Sequence, residues 1–227
     1  MRRQQRRWHR LVAVLLVLVA VPASALDEGL RQLGKDIAGH LPVQGEFEQL
    51  RHLKLLNKPI RSSGRFSISA DKILDWNTLQ PLESRLRMTP EGVTEQQAGV
   101  PDRTVSFAEQ PVMATFAKAL LGIFSGDFEP LEENFRLQWS RHGQCWQLRL
   151  EPRSAEIGRA ISHLEITGDR RVHLVGLHDT RGDHTEIRFR YADPETSPGP
   201  DQPIPDEERT SCPETSALTT GTASLDG

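Results

Sequence analysis

His163, His173, His178 and His184 crowd the last third of the chain, with Asp179 and Asp183 close by. Imidazole and carboxylate groups are the ligands a divalent metal takes. The strand-like alternation around them places most of these side chains toward water, so the expectation is a solvated surface and no metal site. Glu132 and Glu133 are the other pair that could do acid–base work. Adjacent residues on a strand or loop point apart, which makes them solvated charges. Cys145 sits between Gln144 and Trp146 in a strand-like stretch, away from a helix start that would stabilise a thiolate. The chain carries no Gly-x-Ser-x-Gly, no Gly-rich phosphate loop and no His-Glu-x-x-His. The expectation is therefore a protein with no catalytic residues and no cofactor. Cys145 and Cys212 either pair in an oxidising compartment, stapling the tail to the sheet, or remain one buried and one tail thiol.

The elements around these residues change character along the chain. Five arginines and no acid occupy the first ten residues, followed by an apolar run from Leu11 to Val21 and by Ala23-Ser24-Ala25. Basic, apolar and cleavable segments in that order read as a signal peptide over residues 1–25, cut after Ala25. The apolar run is too short to cross a membrane, which takes about 20 residues. Removing the five arginines takes the formal charge from −3 to −8. So acidic a chain suits neither nucleic acid nor an anionic membrane surface. Residues 26–192 read as one domain and 193–227 as a Pro-rich, disordered tail.

Within the domain, Leu26, Leu30, Leu33, Ile37 and Leu41 form one stripe at helical spacing. Extended segments follow: Gln44–Leu55, then Phe66, Ile68 and Ala70 in alternation, Ile73–Leu79, Leu82–Met88 and a restart at Val93–Gln96. Val105–Phe107 reads as one more short strand. Pro111–Phe124 returns to helical spacing with a broad apolar face. Phe135–Trp139, Trp146–Leu150, Ile161–Thr167, Arg171–Leu177 and Thr185–Tyr191 then alternate hairpin by hairpin. That order predicts an antiparallel barrel or strongly curved sheet with helices. Aromatic residues recur through it: Phe66, Trp76, Phe107, Phe116, Phe124, Phe135, Trp139 and Trp146. Each suits a packed core or a ligand contact.

The series resembles the LolA-type periplasmic lipoprotein carriers. The resemblance runs through Gly45–Gln49, Lys58–Phe66, Leu74-Asp75-Trp76, Gln80-Pro81-Leu82 and Pro90–Val93, then Cys145–Pro152, Ile161–Ile166 and Gly182–Phe189. It implies a mainly β fold, an incomplete antiparallel β-barrel with an α-helical lid. It also implies a monomeric, non-enzymatic periplasmic carrier that holds acyl chains of a lipoprotein or lipid-linked product and moves them toward the outer membrane. An inner-membrane release complex and an outer-membrane acceptor would be its partners; a sensor or interaction module on the same fold is the alternative. The residues expected to line the cavity or lid are Phe66, Ile68, Leu74, Trp76, Leu86, Met88, Phe116, Leu120, Trp146 and Leu148. Pro111–Phe124 would be the lid. Where the family carries a lid-latching arginine before its Trp strand, this chain has Ala70.

Overall fold

The structure, a computed structural model, describes residues 24–97, 99–109 and 111–192 together with Cys212. The expected signal peptide, up to residue 23, and the expected tail, apart from Cys212, lie outside the described residues. Helix α1 (Ser24–Ala38) buries Leu30, Leu33 and Ile37 from its stripe; Leu41 lies past its end and packs against the same core.

Six strands follow as a meander: β1 (Val43–His52), β2 (Ile60–Ile68), β3 (Leu74–Gln80), β4 (Ser84–Met88), β5 (Gly92–Gln97) and β6 (Val100–Ser106). Helices α2 (Pro111–Ser125) and α3 (Glu129–Asn134) interrupt them. A second meander then runs through β7 (Phe135–His142), β8 (Cys145–Pro152), the single turn α4 (Ala155–Gly158), β9 (Ile161–Gly168), β10 (Val172–Asp179) and β11 (His184–Tyr191).

All eleven strands form one curved, unclosed antiparallel sheet in the order β6-β5-β4-β3-β2-β1-β11-β10-β9-β8-β7. The first and last strands meet at its centre, with Phe47 opposite Phe189. Its two edges, β6 and β7, are consecutive in the chain, and α2 and α3 bridge the seam between them. The fold is thus the expected incomplete barrel with helices.

Two elements differ from expectation. Strand β6 begins at Val100 rather than near Val105, because its first five residues are exposed and polar enough to hide the pattern. Glu129–Asn134 forms a helix where a strand or loop was expected. Pro130 suits its first turn, and Leu131 is its buried residue. Glu132 and Glu133 therefore project from a helix, still into solvent.

Packing accounts for α2. From Ala119 to Ser125 every side of the helix is buried except for the half-buried Leu120. A helix apolar all round belongs inside a core rather than on it. Its C-terminal end crosses α1 at two glycines. A Cβ on Gly34 would stand 2.2 Å from the Gly126 carbonyl oxygen, and Gly126 itself turns the chain at φ +69°.

Candidate functional site

The inner face of the first meander carries a grid of the expected cavity residues. Phe66 pairs with Trp76 and Ile68 with Leu74 across β2 and β3; Trp76 pairs with Leu86 and Leu74 with Met88 across β3 and β4. Phe66, Ile68, Leu74 and Met88 are buried, and Trp76 and Leu86 pack against them half-buried. Trp146 and Leu148 reach the same core from β8 in the other meander, and Leu120 from α2. The side chain of Phe116 lies outside the described residues.

Phe124 of α2 stands inside this grid. Its ring makes edge contact with Phe189, centroids 4.8 Å apart, and lies 6.1 Å from Phe66. Phe66 in turn meets Phe189 and Tyr191 edge-on at 5.2 and 5.5 Å, while Phe47 stacks on Trp76 at 3.8 Å. Such aromatic pairs add roughly 0.5–1.5 kcal/mol each beyond their buried area. Sequence reasoning singled out Phe124 as aromatic; the structure sets its ring against Phe66 and Phe189 inside the curve of the sheet.

Among the described residues, two clefts flank α2. One, about 550 Å³, opens between α1 and the end of α2, lined by Leu30, Lys35, Lys72, Ser125 and Asp127 among others. There Ser125 Oγ is buried without a hydrogen-bond partner among the described residues. The other, about 410 Å³, lies at the seam, between Phe107, Ala119, Leu131 and Phe135.

At the first cleft, Lys72 Nζ donates to Asp127 Oδ2 at 2.7 Å. Lys72 sits in the β2–β3 turn at φ +59°, two residues beyond Ala70. The bridge ties that turn to the segment just past α2. The sequence did not single out this pair, because Asp127 lies 55 residues along the chain from Lys72.

The second meander is held by polar contacts at its margins. Cys145 and Cys212 form a disulfide with Cα atoms 5.5 Å apart. Trp146 Nε1 donates to the Asp169 carbonyl at 2.5 Å, and Tyr191 Oη to the Val172 carbonyl at 2.7 Å. Burial pushes the Tyr191 phenol well above its ordinary pKa. Partial burial works to raise the Asp169 carboxyl, but His173 at 2.8 Å and the backbone N–H groups of Arg170 and Arg171 outweigh it and hold it low.

Asp179 and Asp183 are taken up by turns. Asp179 Oδ1 accepts from the backbone N–H groups of Arg181 and Asp183, and Asp183 Oδ1 from that of Lys54. They do not join the histidines. His173 is also apart, against Asp169 and Tyr191. His163, His178 and His184 do come together on the outer face, with His52, which the sequence did not single out. Burial, then the charge of Arg149, lowers the His163 pKa; burial, then His52 and His178, lowers that of His184.

Solved structures similar to this chain have low sequence identity. A LolA superfamily protein from Nitrosomonas europaea is 7% identical over 72% of this chain and 90% of its own, with a TM-score of 0.40. The MucA/MucB complex of Pseudomonas aeruginosa gives 13% identity over 71% of this chain, a TM-score of 0.42, and coverage of 55% of the matched chain. LprF from Mycobacterium bovis is 12% identical over 76% of this chain and 97% of its own, with a TM-score of 0.32. None of the curated proteins matches this chain. The family described as outer membrane lipoprotein carrier protein LolA-like matches residues 20–187, well over half of the chain. The chain thus belongs to the outer membrane lipoprotein carrier LolA-like family.

Proposed function

We propose that this protein is a periplasmic, non-enzymatic carrier that takes up acyl chains inside its curved sheet and moves the attached lipoprotein or lipid toward the outer membrane. The observation that carries this reading is the nature of the filling. The apolar helix α2 packs into the concavity beside α1, and Phe124 rests on an aromatic floor made by Phe66, Phe189 and Trp76. Displacing that helix would leave an apolar trough of the kind an acyl chain needs. Each methylene withdrawn from water is worth about 0.8 kcal/mol, so a long chain repays the loss of a few helix contacts. Phe66, Ile68, Leu74, Trp76, Leu86, Met88, Phe116, Leu120, Trp146 and Leu148 are the proposed contacts.

The Lys72–Asp127 bridge would act as the latch in place of the family's arginine. Both side chains are substantially exposed. An exposed ion pair contributes at most about 1 kcal/mol, so an inner-membrane release complex could open it at low cost. Handover would then go to an outer-membrane acceptor.

Native mass spectrometry of protein purified from its own periplasm should show bound lipid, and Leu86→Glu should abolish uptake of a fluorescent fatty-acyl probe. A folded Leu86→Glu variant that binds the probe normally would sink the cavity assignment.

A second reading, a sensor module on the same fold, draws on the disulfide that fixes Cys212 of the acidic tail against β8. Deleting residues 193–227 separates the two. A carrier keeps acyl binding, whereas a sensor loses a protein partner in pull-down.

A further inference from the structure

Four imidazoles stand in one row across four neighbouring strands. His163 on β9 pairs with His178 on β10, His178 with His184 on β11, and His184 with His52 on β1. They alternate with the buried Leu164, Val175, Phe189 and Phe47, so the row lies on the outer face of the sheet. Successive ring centroids are 4.3, 5.7 and 4.2 Å apart. Glu165 joins from the same face of β9, with its carboxylate 3.5 Å from His163 Nε2 and 3.9 Å from His178 Nε2. One ligand atom from each of His163, Glu165 and His178 lies within 4.8 Å of the other two.

We propose that His163, His178 and Glu165 bind a divalent transition-metal ion of the Zn²⁺, Ni²⁺ or Cu²⁺ class on the convex face, with His184 swinging in as a fourth ligand. Imidazole-rich sets favour these ions over Mg²⁺ and Ca²⁺. Zn–N bonds of about 2.0–2.1 Å in a tetrahedron hold ligand nitrogens about 3.3 Å apart, so rotating the two imidazoles closes the remaining gap. Central strands fix the side-chain origins, as a metal site requires. Arg149 Nη1 donates to Glu165 Oε1 at 2.6 Å, the oxygen that faces His163, and so fixes the orientation of the carboxylate while Oε2 faces His178. The site faces away from the acyl trough, so it stands or falls independently of the carrier reading.

Isothermal titration of the untagged exported chain with Zn²⁺ tests this, with Mg²⁺ as the hard-ion control. One saturable Zn²⁺ site is expected. Loss of a ligand in His163→Gln or His178→Gln should weaken it more than Arg149→Gln, whose outer role is worth about 10-fold. His142→Gln, on the far hairpin, should leave it unchanged. Imidazole NMR resonances of the unsubstituted protein give a second readout that needs no variant. Zn²⁺ should shift those of His163 and His178. Absence of saturable binding, binding untouched in a folded His163→Gln/His178→Gln protein, or shifts confined to other histidines would each overturn the proposal.

Discussion

The two meanders are built from the same alternation but are filled differently. On the inner face of β8 to β10, Trp146, Leu148, Leu150, Leu164, Ile166, Val172 and Val175 are all buried, and apolar contact continues along the strands. On β3 to β6 only one row stays fully apolar and buried: Leu74, Met88, Val93 and Val105. One row further out Trp76 and Leu86 give way to Glu95 and Arg103, and the next holds Thr78, Ser84 and Gln97. The large exposed apolar residues also fall on this side: Leu55, Leu56, Ile60, Leu79, Leu82 and Val100. One meander is a finished core; the other is half a core with a wet margin. Regions with few buried apolar contacts open at lower free energy than the rest of the protein. On that ground β3 to β6 are expected to open before β8 to β10.

The disulfide gives the largest expected effect. It closes a 67-residue separation that contains β8 to β11 entirely, and a loop of that size is worth about 4 kcal/mol in the chain-entropy account. Cys145→Ser with Cys212→Ser should lower unfolding stability by about that amount in a denaturant titration. If the second meander is already self-sufficient, the loss will be far smaller and the disulfide serves only the tail. Next comes a matched pair of truncations. Leu148→Ala empties a fully buried site and should cost about 3 kcal/mol. Leu86→Ala, at a half-buried site beside Glu95, should cost clearly less. Equal losses in the two variants would erase the distinction between the meanders.

The strands were legible from the sequence because most of them alternate against one core, as in Phe66, Ile68 and Trp146, Leu148, Leu150. The N-terminal stripe was legible for the same reason. Of strand β6 only the end near Val105 was legible, since its first five residues sit at an edge in water. Helix α3 was too short to show a period, and Leu131 alone marks its inner side. Which way α2 faces could not be read, because a helix apolar all round has no preferred side until the sheet curves around it. The histidine row depends on register between strands. His52 lies far from His184 in the chain, and only the pairing of β1 with β11 brings them together. Lys72 and Asp127 likewise lie far apart in the chain and meet only in the folded structure.

The packing of α1 against the end of α2 depends on the Gly34–Gly126 crossing. Gly34→Ala places a methyl against a backbone carbonyl that cannot swing aside. Overpacking of this kind costs roughly 1–3 kcal/mol. It should lower the melting temperature and, in hydrogen exchange, speed the amides of α1 and α2 before those of β8 to β10. If β8 to β10 loosen equally, α1 and α2 belong to the second meander's cooperative unit and the two meanders do not differ in stability.

The smallest effect tests the margin of the finished core. Asp169 joins the β9–β10 turn to His173 and to the backbone of Arg170 and Arg171, and these contacts hold its carboxyl below the ordinary value of 3.8 despite partial burial. A lowered folded-state pKa means that the unfolded chain takes up the proton first. The Asp169 contribution is therefore fully present above 3.8 and is lost as pH falls through the folded value. Asp169→Asn removes the charge at every pH. The stability gap between the two proteins should narrow as the pH falls below 3.8 and the Asp169 carboxylate takes up its proton. Because the side chain is well exposed, solvent screens the interaction and the gap should be small. A gap that widens on acidification would mean that burial, not His173 and the turn, dominates at this carboxylate, and that the second meander reaches its edge unsupported by charge.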